Sequence, residues 1–167
     1  MSVNISARQL VQPDFRGCID DILQASRLTP ERLCLEVTES QLLGDLDSAA
    51  HLISVIRELG IGLHIDDFGT GYSSMAYLRR LPVTGIKIDR SFVSQLQHAR
   101  EDHAIVAALI SLGQVMSLEV IAEGVEDEHQ SSMLRELRCN YGQGYLWSGA
   151  LAATELVHWV HQHQRDS

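Results

Sequence analysis

The amino-acid sequence predicts an α/β fold built on a parallel sheet. Three observations carry this: strand-length apolar runs alternate with longer amphipathic stretches, the order is repeatedly β-then-α, and polar residues recur where the apolar runs end. Parallel neighbours need a crossover of helix length between them, which the amphipathic stretches supply. Helices over the sheet leave two architectures open, an open doubly wound sheet or a closed barrel. The GxGxxG string of a dinucleotide-binding Rossmann unit is absent.

Taken in order, the strand candidates are residues 2–6, 33–38, 61–65, 85–88, 118–122 and 141–147. Helical spacing of apolar residues marks 13–27, 45–59, 101–117, 126–137 and 152–162. In the second of these, Ala49, Leu52, Ile53, Ile56 and Leu59 form one stripe. A loop at 66–74 precedes a short helix-like segment at 75–81, which Pro82 ends because the residue before proline leaves the helical region. No internal repeat, linker or low-complexity segment interrupts the pattern, so a single domain over 1–167 is expected.

Composition narrows the function classes. With 45% hydrophobic and 21% charged residues in 167, the chain can bury a core. A formal net charge of -9 argues against wrapping a nucleic-acid polymer and suits divalent cations. No stretch approaches the roughly 20 apolar residues of a membrane span, and the N-terminus lacks the order of a signal peptide, so membrane insertion is not expected and a cytoplasmic location is. Cys18, Cys34 and Cys139 lie far apart without CxxC or Cys/His spacing, and read as buried thiols rather than disulfide or zinc partners.

The functional signal is the placement of polar residues. They are Asn4 in VNIS, Glu36 and Glu39 in LEVTES, Asp66 and Asp67 in HIDDFGTGYSS, Lys87 and Asp89 in IKIDRS, Glu123 in IAEGVE, and Gln143 beside YGQGY. Strand ends of a parallel barrel converge on one face, where residues distant in sequence meet. Carboxylates and an amide oxygen are hard ligands for Mg²⁺ or Mn²⁺. Two such ions about 4 Å apart can clamp a phosphodiester and generate hydroxide, which makes phosphodiester hydrolysis the chemical hypothesis.

Each residue also has a plainer explanation. Asp and Glu at strand ends often cap the next helix or form rim salt bridges, and for any single residue that explanation is favoured. For adjacent Asp66 and Asp67 the two explanations balance, because neighbouring carboxylates repel without a cation or donor. For the whole set, metal is favoured. Lys87 either holds a water or phosphate oxygen or is a counterion to the acids. His64 reads as a core or supporting histidine, and His158, His161 and His163 as a solvated helix face. The DFG string at 67–69 lacks every other kinase element, which excludes that class.

In this order and at these intervals, VNIS, LEVTES, DDFGTGYSS, IKIDRSFV, IAEGVE and YGQGYLWS resemble the later motifs of the EAL family, over residues 2–151. The resemblance implies an incomplete TIM-like (β/α) barrel and hydrolysis of cyclic di-GMP to linear pGpG with Mg²⁺ or Mn²⁺. It implies that Asn4, Glu36 and Asp66 coordinate one metal and Asp67 a second, that Lys87 holds the attacking water, and that Glu123 is the general base or a second-metal partner. It further implies that Glu39 anchors the loop after Asp67, that Glu126 and Gln143 line the nucleotide pocket, and that the domain forms a homodimer.

The family's naming Glu-Ala-Leu segment is not found in the chain, and a complete TIM barrel takes roughly 250 residues. The expectation is therefore the C-terminal two-thirds of an EAL domain. The competing expectation is a catalytically inactive module that binds cyclic di-GMP or a protein partner.

Overall fold

The computed structural model describes residues 1–42, 46–71, 78–97 and 100–163, with the backbone alone described at Ala7 and His163. Six strands form one sheet in the order β1-β2-β3-β4-β5-β6: β1 (Ser2–Asn4), β2 (Cys34–Thr38), β3 (Gly62–Phe68), β4 (Gly85–Ile88), β5 (Glu119–Glu123) and β6 (Tyr141–Gln143). Every neighbouring pair is parallel. A doubly wound sheet would reverse its strand order at a switch point. Strictly sequential order with right-handed crossovers instead places all helices on one face and curls the sheet into a half-barrel.

Strand alternation sorts the side chains accordingly. Leu35, Val37, Leu63, Ile65, Ile86, Ile88, Val120 and Ala122 are buried on the convex face beneath the helices. Each large aliphatic contributes on the order of 1.5–3 kcal/mol by leaving water. The intervening residues, Glu36, His64, Asp66, Lys87 and Glu123, share the concave face. The fold therefore puts its apolar contacts outside the half-barrel and its charge inside.

The long helices seal the convex face through single stripes. Helix α2 (Phe15–Ser26) follows the short α1 (Ala7–Leu10) and buries Ile19 and Leu23. It ends at Arg27, whose φ of 56° is left-handed. Beyond α3 (Glu39–Leu42), α4 (Leu46–Glu58) buries Ala49, Ile53 and Ile56, as its stripe predicts. After α5 (Arg90–Ser94), α6 (Arg100–Met116) buries Val106 and Ile110. Helix α7 (Glu128–Glu136) opens on a capping box between Asp127 and Gln130. The last helix, α8 (Ala153–His163), leaves Leu156 and Val157 exposed. No helix among the described residues is long and apolar enough to cross a membrane.

Several expectations shift. Strand β3 runs on through Asp66 and Asp67 to Phe68, and β5 takes in Glu123, so these acids belong to strands and not to the following loops. Strands β1 and β6 are shorter than expected, and α1, α3 and α5 were not anticipated. Most of the helix-like segment at 75–81 lies outside the described residues. The three cysteines are free, but Cys18 is exposed and the other two half-buried, which corrects their reading as buried thiols. Cys18 sits on α2 away from its buried Ile19 and Leu23 stripe.

Candidate active site

Strand β4 carries Lys87 into the centre of the concave face, where its Nζ meets Glu123 Oε1 at 2.6 Å, Glu36 Oε2 at 2.8 Å and Asp66 Oδ1 at 3.1 Å. The β-period alone accounts for the meeting, because each partner sits on the inward phase of its own strand. One cation among three carboxylates leaves local negative charge. Burial by itself would lower the lysine, but hydrogen bonds to Glu123 and Glu36 outweigh it and hold the ammonium above the ordinary lysine range. Burial pushes Glu123 up, opposed by Lys87 and reinforced by Asp66 and Glu36.

Asp66 and Asp67 come together through a break in the strand. Adjacent residues of a regular strand point to opposite faces. Between Ile65 and Phe68 the register against β4 shifts, and Asp67 adopts a left-handed φ of 54°. This bulge swings the Asp67 carboxylate to the side of Asp66, so that oxygens of Asp66, Asp67 and Glu123 all lie within 4.8 Å of one another. Burial raises Asp67, and the charges of Asp66 and Asp89 add to it. Hard oxygen donors at this spacing, with repulsion that a cation would relieve, fit Mg²⁺ or Mn²⁺ and not a soft metal.

Of the other expected residues, Gln143 contacts this centre and Glu39 contacts the turn that follows Asp67. Buried Glu39, at the start of α3, accepts a hydrogen bond from the Gly69 N–H at 3.0 Å. A Cβ at Gly71 would lie 2.2 Å from Glu39 Oε1, so the turn after β3 lies directly on that carboxylate. Gln143 Nε2 donates to Glu123 Oε1 at 2.6 Å from the neighbouring strand. Asn4, exposed on the sheet's first strand, pairs in register with Glu36, which is not one of the three converging carboxylates. Glu126 is exposed on the connection from β5 to α7, and its carboxylate makes no hydrogen bond or ion pair among the described residues. His64, whose Nε2 lies 3.4 Å from Glu119, is held below the ordinary histidine range by burial despite that carboxylate. His158 and His161 are exposed on α8, as a solvated face requires.

Two supports went unread in the sequence. A Cβ on Gly144 would lie 2.1 Å from the Val125 carbonyl oxygen, so the turn after β6 presses on the chain between Glu123 and Glu126. Buried Gln130 holds the same segment from its other end. The Gly144 signal was present in YGQGY, but its partner Val125, far away in the sequence, was not.

A family model described as EAL domain matches residues 1–150. The chain is 41% identical over 157 residues to the bifunctional diguanylate cyclase/cyclic di-GMP phosphodiesterase MucR of Pseudomonas aeruginosa, covering 94% of this chain and 23% of MucR. It therefore spans less than a quarter of that relative's length. Among solved structures, the PaMucR phosphodiesterase in its c-di-GMP complex superposes with a TM-score of 0.88 at 42% identity, over 93% of this chain and 63% of that one. A manganese/cyclic-di-GMP complex of Klebsiella pneumoniae BlrP1 gives 0.82 at 31% identity, over 89% and 38%.

Proposed function

This chain belongs to the EAL domain family, and from that membership we propose that it hydrolyses cyclic di-GMP to linear pGpG with Mg²⁺ or Mn²⁺ as cofactor. The observation that carries the reading is the convergence of Asp66, Asp67 and Glu123 beside Lys87 at the ends of β3, β4 and β5. Solved relatives hold cyclic di-GMP, and BlrP1 holds it with manganese.

In this reading Asn4, Glu36 and Asp66 hold one cation and Asp67 a second. These residues would hold the cations, which would supply polarisation of the phosphodiester and a water made nucleophilic near neutral pH. Lys87, whose three donors rest on Glu36, Asp66 and Glu123 in this structure, turns one of them to the attacking water when cations neutralise those carboxylates. Glu123, pushed up by burial, is a better proton acceptor than an ordinary carboxylate, and its Oε atoms take the proton that water loses. Gln143, donating to Oε1, sets the orientation of that carboxylate. Glu39 holds the turn after Asp67 in place, and Glu126 and Gln143 border the nucleotide.

We place the chain as the C-terminal two-thirds of such a domain, which agrees with its coverage of 63% of the PaMucR phosphodiesterase chain. A homodimer is the proposed association state. The test is chromatographic detection of pGpG from the chain, and from a version extended through its upstream coding sequence, with Mn²⁺ or Mg²⁺ and with calorimetric binding in parallel. Formation of pGpG by either protein supports the reading. Binding by both without turnover leaves a receptor module in its place.

A further inference from the structure

The connection from β5 to α7 carries an exposed carboxylate without a partner, on a backbone that is fixed at both ends. At its start, the Val125 N–H donates to the Gln143 carbonyl at 3.1 Å, and the Val125 carbonyl accepts from the Leu146 N–H at 3.0 Å. At its end, buried Gln130 reaches back from α7. Its Oε1 accepts from the Asp127 N–H at 3.3 Å and from the Glu126 N–H at 2.7 Å. The longer of these belongs to the capping box, whose other half is the Gln130 N–H donating to Asp127 Oδ1 at 2.8 Å. The shorter goes one residue beyond the box, to a backbone group that helix capping does not require. Gln97 secures Asp127 from the opposite side, with Nε2 at 2.8 Å from both carboxylate oxygens.

We propose that Gln130 is a positioning residue for substrate, acting through its hydrogen bond to the Glu126 main chain to hold the Glu126 carboxylate at the rim of the site. A buried side chain is ordered here to fix a backbone whose own carboxylate stays unpaired, three residues beyond Glu123. Holding an unpaired carboxylate in one place lowers the ordering cost of binding a hydrogen-bond donor on the substrate. The inference rests on the phosphodiesterase reading and deepens it. Gln130 touches no reacting atom, so its effect belongs on KM and not on kcat.

The test compares Gln130→Met, which keeps length and removes the acceptor, with Gln130→Glu, which restores an oxygen acceptor for both N–H groups. It is run on whichever protein turns over cyclic di-GMP, well below the melting temperature of each variant. Gln130→Met is expected to raise KM about tenfold, the scale of one lost hydrogen bond, with kcat within about twofold. Gln130→Glu should recover most of that loss. In a Glu126→Ala background, Gln130→Met should add nothing further, because the carboxylate it positions is gone. An unchanged KM in Gln130→Met, or a full additional loss in the Glu126→Ala background, overturns the proposal and leaves the phosphodiesterase reading intact. If the wild type binds without turnover, the dissociation constant carries the same comparison; if it neither binds nor cleaves, both readings fail.

Discussion

Replacing Lys87 by methionine isolates the electrostatics of the site. The substitution keeps the length and apolar stem of the side chain and removes the ammonium from between Glu36, Asp66 and Glu123. The side chains involved are only 5%, 7%, 14% and 16% exposed, so solvent cannot replace the lost cation cheaply. Breaking a buried ion pair by removing one partner costs roughly 3–5 kcal/mol. For a chain of this size that corresponds to a fall in melting temperature of about 6–20 °C. In the wild type, the raised lysine contributes stability that is fully present below its ordinary pKa of about 10.4 and is lost only as pH rises through the higher folded value. In the variant, Glu123 loses the lysine that opposes its upward shift. Burial already pushes Glu123 up, and without the ammonium that opposes it the penalty is absent in acid and grows as pH rises above the ordinary carboxylate range, so the gap to wild type should widen from acid toward neutrality. Thermal unfolding followed by circular dichroism, in chelator and then with Mg²⁺, measures this. Added Mg²⁺ should raise the variant's midpoint more than that of the wild type, because a cation substitutes for the missing charge. A metal-free midpoint within about 2 °C of wild type would refute this electrostatic reasoning.

Three further outcomes follow from particular contacts. Gly144→Ala drives a Cβ into the Val125 carbonyl, and a backbone clash of this kind should cost about 1–3 kcal/mol in denaturant unfolding and weaken turnover by displacing Glu123 and Glu126. Asp127 is held below the ordinary aspartate range by the backbone N–H of Gln130, so its capping contribution is present above a pKa of about 3.9 and fades as pH falls through the lower folded value. The difference in melting temperature between wild type and Asp127→Ala should therefore be constant near neutrality and close in acid. Burial, then the charge of Glu36, pushes the Cys34 thiol up to about 11, so at pH 8 a disulfide reagent should label exposed Cys18 well before Cys34.

Much of the architecture was legible because β-period and helix-period patterns survive folding unchanged. The stripe Ala49, Ile53, Ile56 lies buried as its spacing requires, and Glu36, Asp66, Lys87 and Glu123 meet because each occupies the inward phase of its strand. Periodicity alone could not choose between a doubly wound sheet and a barrel, since both use the same β-then-α units and differ only in strand order. The bulge at Asp67 was illegible for a different reason. A left-handed residue between two ordinary strand segments leaves no mark on the apolar pattern, yet it sets which way the second carboxylate points. Glu39 was expected at the loop, but its contact with Gly69 depends on how closely α3 approaches the end of β3, which local sequence does not encode. Gln130 could not be singled out in the sequence because its partner is a backbone N–H, and backbone groups carry no sequence signal.

We propose that the acids brought together at the strand ends act on cyclic di-GMP through divalent metal. The deciding measurement is pGpG formation with Mn²⁺ by wild type, Asp66→Asn and Glu123→Gln, assayed side by side in a protein that carries this chain and turns over. Both variants should lose turnover while keeping wild-type circular dichroism. Near-normal turnover by either variant would contradict the proposal.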